Sequence, residues 1–225
     1  MCTSRLSTRC GWVVPVLVAL AAVLPMGFLA SPAPSMAPEP DPVPRRWQLD
    51  LKLGDLRLAQ MPVTTSGGST EIRRYYYLTY TVTNGTKDDV LFAPSFELSD
   101  GVTESIRSGK DVPTEVTKQV LSMLNNQFLQ DQISILGVLS QGEANAKEGV
   151  VIWPVQNASA SELTIYASGF SGETRTIEVI DPETKKPTKI TLRKTHMSRY
   201  HPPGTLDALR PNDAIERTEQ RWILR

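Results

Sequence analysis

Residues Tyr75–Gly85, YYYLTYTVTNG, and Val90–Leu98, VLFAPSFEL, read as one long strand, a polar turn and a second strand. In an extended chain Tyr76, Leu78, Tyr80 and Val82 fall on one side, and Tyr75, Tyr77, Thr79, Thr81 and Thr83 on the other. Aromatic and β-branched residues dominate both sides, which is the composition of a strand inside a sheet. Asn84-Gly85 is suited to the positive φ of a turn, and Lys87-Asp88-Asp89 keeps that turn in water. Val90, Phe92, Phe96 and Leu98 then share one phase, interrupted at Pro94, which fits an edge or a bulge. The two strands are expected to form the central hairpin of a β-sandwich. Tyr75 and Tyr77 are its outward aromatic pair, the surface left over for binding a sugar or a peptide.

Working outward, Leu49, Leu51 and Leu53 alternate with polar residues, and after Gly54-Asp55 the phase shifts to Leu56 and Leu58. A one-residue shift at glycine is the mark of a bulge or tight turn. Thr64–Thr70, TTSGGST, reads as a loop. Asp111–Gln132 carries Val116, Val120, Leu124 and Phe128 at helical spacing with Pro113 in a first turn. That helix is expected to close one open end or edge of the sandwich. Further strands are expected at Ile133–Leu139, Gly149–Pro154 and Glu162–Ala167, and at Thr174–Ile180 and Lys189–Lys194 around a charged tip, Asp181–Pro187. Thr218–Arg225 reads as a last strand with Trp222 and Leu224 inward, in competition with a short helix from Asn212. Eight or nine short strands with one inserted helix (about 111–132) define a mainly β chain, an antiparallel sandwich.

The run TVTNGTKDDVLFAPSFELSDG followed by ILGVLSQGEANAKEGVVIWP resembles the immunoglobulin-like β-sandwich domains of uncharacterised exported bacterial proteins. The resemblance covers about Arg74–Ile180 and rests on turn and core positions. It implies a fold and an exported location, and it carries no active site. The inserted helix and the chain after Lys194 depart from the simplest form of that pattern.

Arg5 and Arg9 precede Trp12–Ala30, a run of nineteen residues without a charge. Positive charge before an apolar run is the pattern of an export signal, so residues 1–30 are expected to be a signal peptide or a signal anchor. The run is also near the roughly 20 residues that span a bilayer, and membrane contact through Trp12–Ala30 is expected if it is not cleaved. Ser31–Arg46 has proline at 32, 34, 38, 40, 42 and 44, the spacing of an extended polyproline spacer. Residues 47–225 are then the sandwich domain. The expected location is extracytoplasmic: periplasmic, membrane-anchored or secreted.

Lys and Arg number 24, as do Asp and Glu, so no net field favours a nucleic acid partner. Cys2 and Cys10 both precede the apolar run, which leaves the folded part without a thiol for a disulfide, a nucleophile or a metal. His196 and His201, with Met197 between them, form the one soft-metal pattern, and along a strand 196 and 201 face opposite ways. No serine stands in a nucleophile motif and no glycine-rich run continues into a phosphate loop. Asp88, Asp89 and Asp100 lack the spacing of a calcium loop and read as turn solvation. The expectation is a non-enzymatic binding or structural module of the cell envelope, with no catalytic residues, cofactor or metal, whose partner is an envelope protein or a glycan. The alternatives are a carbohydrate-active or hydrolytic envelope domain, and a periplasmic metal-handling protein. Nothing in the residue pattern indicates an oligomeric state.

Overall fold

The computed structural model describes residues 47–203, 206 and 209–225. The run Trp12–Ala30 and the proline-rich stretch Ser31–Arg46 lie outside the described residues. With 54% of the described residues in strands and 9% helical, the fold is mainly β, and its antiparallel sheets do not close into a barrel.

Two leading strands, β1 (Asp50–Thr64) and β2 (Thr70–Thr83), pair along their whole length around the 65–69 turn. Their register shifts between Leu53 and Leu56, where the sequence changed phase. The reason is steric: a Cβ on Gly54 would lie 2.6 Å from Thr79 Oγ1 and 3.0 Å from the Thr79 carbonyl oxygen. On its other side β2 pairs with β8 (Lys147–Pro154), and the two-residue β6 (Leu129–Gln130) adds to β8 in parallel. This is one layer of the sandwich. The other runs β5 (Ile106–Arg107), β4 (Ser95–Ser99), β9 (Leu163–Ser168), β11 (Pro187–His201) and β12 (Ala214–Leu224). The layers are joined where β12 meets β1, through Leu56↔Ile215 and Arg57↔Ala214. A small separate sheet pairs β3 (Val90–Phe92) with β7 (Gly137–Leu139), and β10 (Thr174–Ile180) extends from β11 as a hairpin arm.

Between the layers lies the main core. Tyr76, Leu78, Tyr80 and Val82 of β2 share it with Phe92, Phe96, Leu98, Ile165, Phe170 and Trp153. Tyr80 packs on Phe96 with ring centroids 4.7 Å apart, and Phe170 meets Tyr80, Phe92 and Phe96 edge-on. Such aromatic pairs add about 0.5–1.5 kcal/mol each beyond the area they bury.

Five expectations are corrected here. The two strands of the opening stretch are not a hairpin: β2 pairs with β1 and β8, while β3 and β4 belong to other sheets. Ala93-Pro94 is the crossing between them, where a residue lacking an N–H leaves no ladder bond to break. Neither Asn84 nor Gly85 takes a positive φ. Asn84 instead turns the chain with its fully buried side chain: Nδ2 donates to the Asp88 and Leu139 carbonyls, and Oδ1 accepts from Thr86 N and Oγ1.

The helix is also shorter and differently used. α1 spans Thr114–Leu124 and stops at Asn125, whose left-handed backbone (φ 47°, ψ 40°) sends its N–H back to Leu121 and Ser122. It lies on the outer face of the first layer, with Val116 and Val120 in a second core of Ala59, Met61, Val63, Tyr75, Tyr77, Val150 and Ile152. Phe128 falls past its end and is 68% exposed. Finally, the strand expected from Ile133 begins only at Gly137, because Asp131 Oδ1 accepts from the Ile133 and Ser134 amides and holds them in a turn. Asn212 is no helix start either. It sits at φ 71°, and β12 follows from Ala214.

Candidate functional site

Tyr75 and Tyr77, the expected outward pair, are each 2% exposed. Alternation does place them opposite Tyr76 and Leu78, but α1 covers that face. Burial raises the pKa of both phenols, and Arg73 beside Tyr75 and Arg57 beside Tyr77 only partly offset it. Tyr77 donates its hydroxyl to Asn212 Oδ1 at 3.1 Å. These rings are second-core residues, not a recognition platform.

Two adjoining concave surfaces lie instead around the first described residues. Trp47 accepts at its carbonyl from Gly172 N (2.9 Å) and Ser171 Oγ (3.3 Å), and Leu49 N donates to the Phe170 carbonyl (2.8 Å). This segment is thereby stitched to the β9–β10 turn. The turn needs glycine at 169: φ is +89°, and a Cβ there would lie 2.6 Å from the Ala93 carbonyl oxygen. Close approach of the turn to the Ala93-Pro94 crossing leaves two clefts that share Trp47 and Leu91. One, of about 510 Å³, has Asp88 and Asp89 on its rim and Thr86 and Gln48 in its wall. The other, of about 500 Å³, is rimmed by Glu97, Arg107 and Arg193. Leu91 is 75% exposed and stands opposite Val138, which is 57% exposed. An aromatic ring, two exposed aliphatic side chains and a rim of both signs suit contact with a polar macromolecular surface.

Beneath the second cleft lies a buried polar seam. Lys194, His196, Ser198 and Tyr200 alternate along the inward face of β11. Lys194 is fully buried, with Nζ 3.3 Å from Glu173 Oε2, 2.8 Å from Gln48 Oε1 and 5.5 Å from the Trp222 ring centre. His196 meets Trp222 edge-on at 5.1 Å, and its Nδ1 is 3.4 Å from Ser198 Oγ. Ser198 is fully buried, so this pair is not presented to a substrate. The sequence reading missed Lys194–Glu173. The signal was there: from Tyr200 back, the inward phase of β11 lands on Ser198, His196 and Lys194.

The soft-metal pattern does not converge. His196 and Met197 are on opposite faces of β11, and His201 is exposed opposite Glu216. Among the described residues no three His, Cys, Asp or Glu side chains are grouped to hold a metal ion. Asp100 works as a loop clamp. Its Oδ1 accepts from Val102 N, Thr103 N and Thr103 Oγ1. Burial acts to raise its pKa, but these hydrogen bonds outweigh it and hold the carboxyl below its usual value. No family model, curated protein or solved structure matches this chain.

Proposed function

We propose that this chain is an extracytoplasmic, non-enzymatic binding or structural module of the cell envelope, an immunoglobulin-like sandwich that meets an envelope protein or glycan through the clefts flanking Leu91. The compartment rests on the charge-then-apolar order of residues 1–30. The contact rests on one observation: Trp47 and Leu91 stand between two adjoining clefts whose rims carry Asp88 and Asp89 on one side and Glu97, Arg107 and Arg193 on the other. Aromatic and aliphatic anchors ringed by charge are what a recognition surface requires.

The test uses the full chain with a photoreactive residue at Leu91, expressed and fractionated into cytoplasm and envelope, with the mature N-terminus read by mass spectrometry. The expected result is an envelope-fraction chain and a discrete adduct that Trp47→Ala abolishes. A cytoplasmic chain overturns the compartment. An adduct indifferent to Trp47→Ala, or none at all, overturns the contact surface.

A further inference from the structure

A sheet edge is an open row of N–H and C=O groups, and folded proteins protect such rows by making edge strands short, charged, bulged or covered. This fold follows the rule at four of its edges. Among the described residues β5 and β6 have two residues each, and β3 and β7 three each. β10 breaks it. Its seven residues, Thr174–Ile180, pair with β11 on one side and, among the described residues, with no strand on the other. The strand has no proline and no glycine, and Thr174, Thr176, Ile177, Val179 and Ile180 are β-branched, the composition that most favours strand pairing. Ile177 is 36% exposed, Ile180 64% and Ile190, the cross-strand partner of Ile177, 44%.

We propose that β10 is the interface for a second copy of this chain, joined edge to edge about a two-fold axis at Ile177. The strand is suited to its own image. In the antiparallel register centred on Ile177, all seven residues find partners, a count that falls with any displacement. Ile177 then opposes Ile177 of the second copy, Thr176 opposes Glu178, and Arg175 opposes Val179. Arg175 also lies diagonal to Asp181, on the same face, at both ends of the pairing, within reach of a long side chain. The Asp181 carboxyl is held ionised there, because the amides of Thr184 and Glu183 donate to it and depress its pKa. The product is a four-stranded antiparallel sheet, β11–β10–β10–β11, with Ile177, Val179, Ile190 and Leu192 of each copy along one face. A two-fold contact uses the β10 edge of both copies at once, so this contact closes at two copies.

The experiment is sedimentation equilibrium on the full chain, wild type against Ile177→Lys and Ile177→Glu. All three share the same N-terminal run, so a difference maps to β10. Each substitution is at an exposed site and places like charges directly opposite at the axis. The expected result is a wild-type dimer, loss of the dimer in each variant alone, and its return when the two variants are mixed. In the wild type, amide exchange of Thr174–Ile180 slows as concentration rises, a readout independent of any variant. A wild-type chain that stays monomeric overturns the proposal and leaves the edge to a strand from another protein. Variants that dimerise like wild type, or a mixture that does not, overturn it equally.

Discussion

Replacing Lys194 by alanine removes the ammonium 3.3 Å from Glu173 and leaves that carboxylate buried in the seam behind Trp47. Stripping one member from a buried ion pair costs about 3–5 kcal/mol, while exchanging both for neutral side chains of similar volume is often neutral. Lys194→Ala is therefore expected to lower the unfolding free energy obtained from urea titration by that amount, and Lys194→Met with Glu173→Gln to recover most of it. If the double variant is as unstable as the single one, the pair is not what holds the seam. Tyrosines give a second prediction. Burial is the largest cause raising the pKa of Tyr75, Tyr76, Tyr77, Tyr80 and Tyr200, and Tyr76 is pushed up to about 12 by burial together with Asp100. A phenol whose folded pKa exceeds its unfolded value stabilises the fold fully below about pH 10, and loses that contribution as pH rises through the folded value. Tyrosinate absorbance for these five rings is expected to appear together with loss of the native circular dichroism. Ionisation of most of them near pH 10 in a chain that is still folded would disprove it.

At the scale of the element, α1 separates what periodicity can and cannot reveal. Val116, Val120, Leu124 and Phe128 hold one phase, yet the helix ends at Leu124 because Asn125 adopts a left-handed backbone. A run of apolar spacing does not record that stop, whereas an Asn-Asn pair is the kind of local chemistry that does. Val120→Ala is expected to cost about 2–3 kcal/mol of unfolding free energy, from lost burial plus the cavity left against Tyr75 and Tyr77. Phe128→Ala, beyond the helix and exposed, is expected to change it by less than about 0.5 kcal/mol. Equal effects at the two positions would mean that the helix continues through Phe128. The same separation runs through the strands. Alternation assigned Tyr76, Leu78, Tyr80 and Val82 to one face correctly, because a period of two is a property of each strand alone. It also put Tyr75 and Tyr77 on the other face, but whether that face meets water depends on a helix forty residues away.

For the whole molecule, the mainly β class and the single helix were legible, since composition, turn residues and phase all agree on them. Pairing was not. β1 lies beside both the next strand and the last one, and the clefts are assembled from Trp47, Leu91, Gly169 and Arg193, residues that share no local motif. Long-range contacts of this kind are set by how the layers close, which no window of sequence contains. They also determine where the ends of the domain come out. Gln48 holds Lys194, Lys194 pairs with Leu224, and Arg225 exchanges two backbone hydrogen bonds with Arg193. Trp47 and Arg225 thus leave the sandwich at one end, while the β1–β2 turn at 65–69, mostly exposed, lies at the far end of those strands. The chain is accordingly suited to circular permutation. Linking Arg225 to Trp47 through a short glycine-serine bridge and opening the backbone at Gly67-Gly68 is expected to give a folded protein whose thermal transition remains single and cooperative. A permutant that does not fold would mean that the ends stand further apart than this ladder places them.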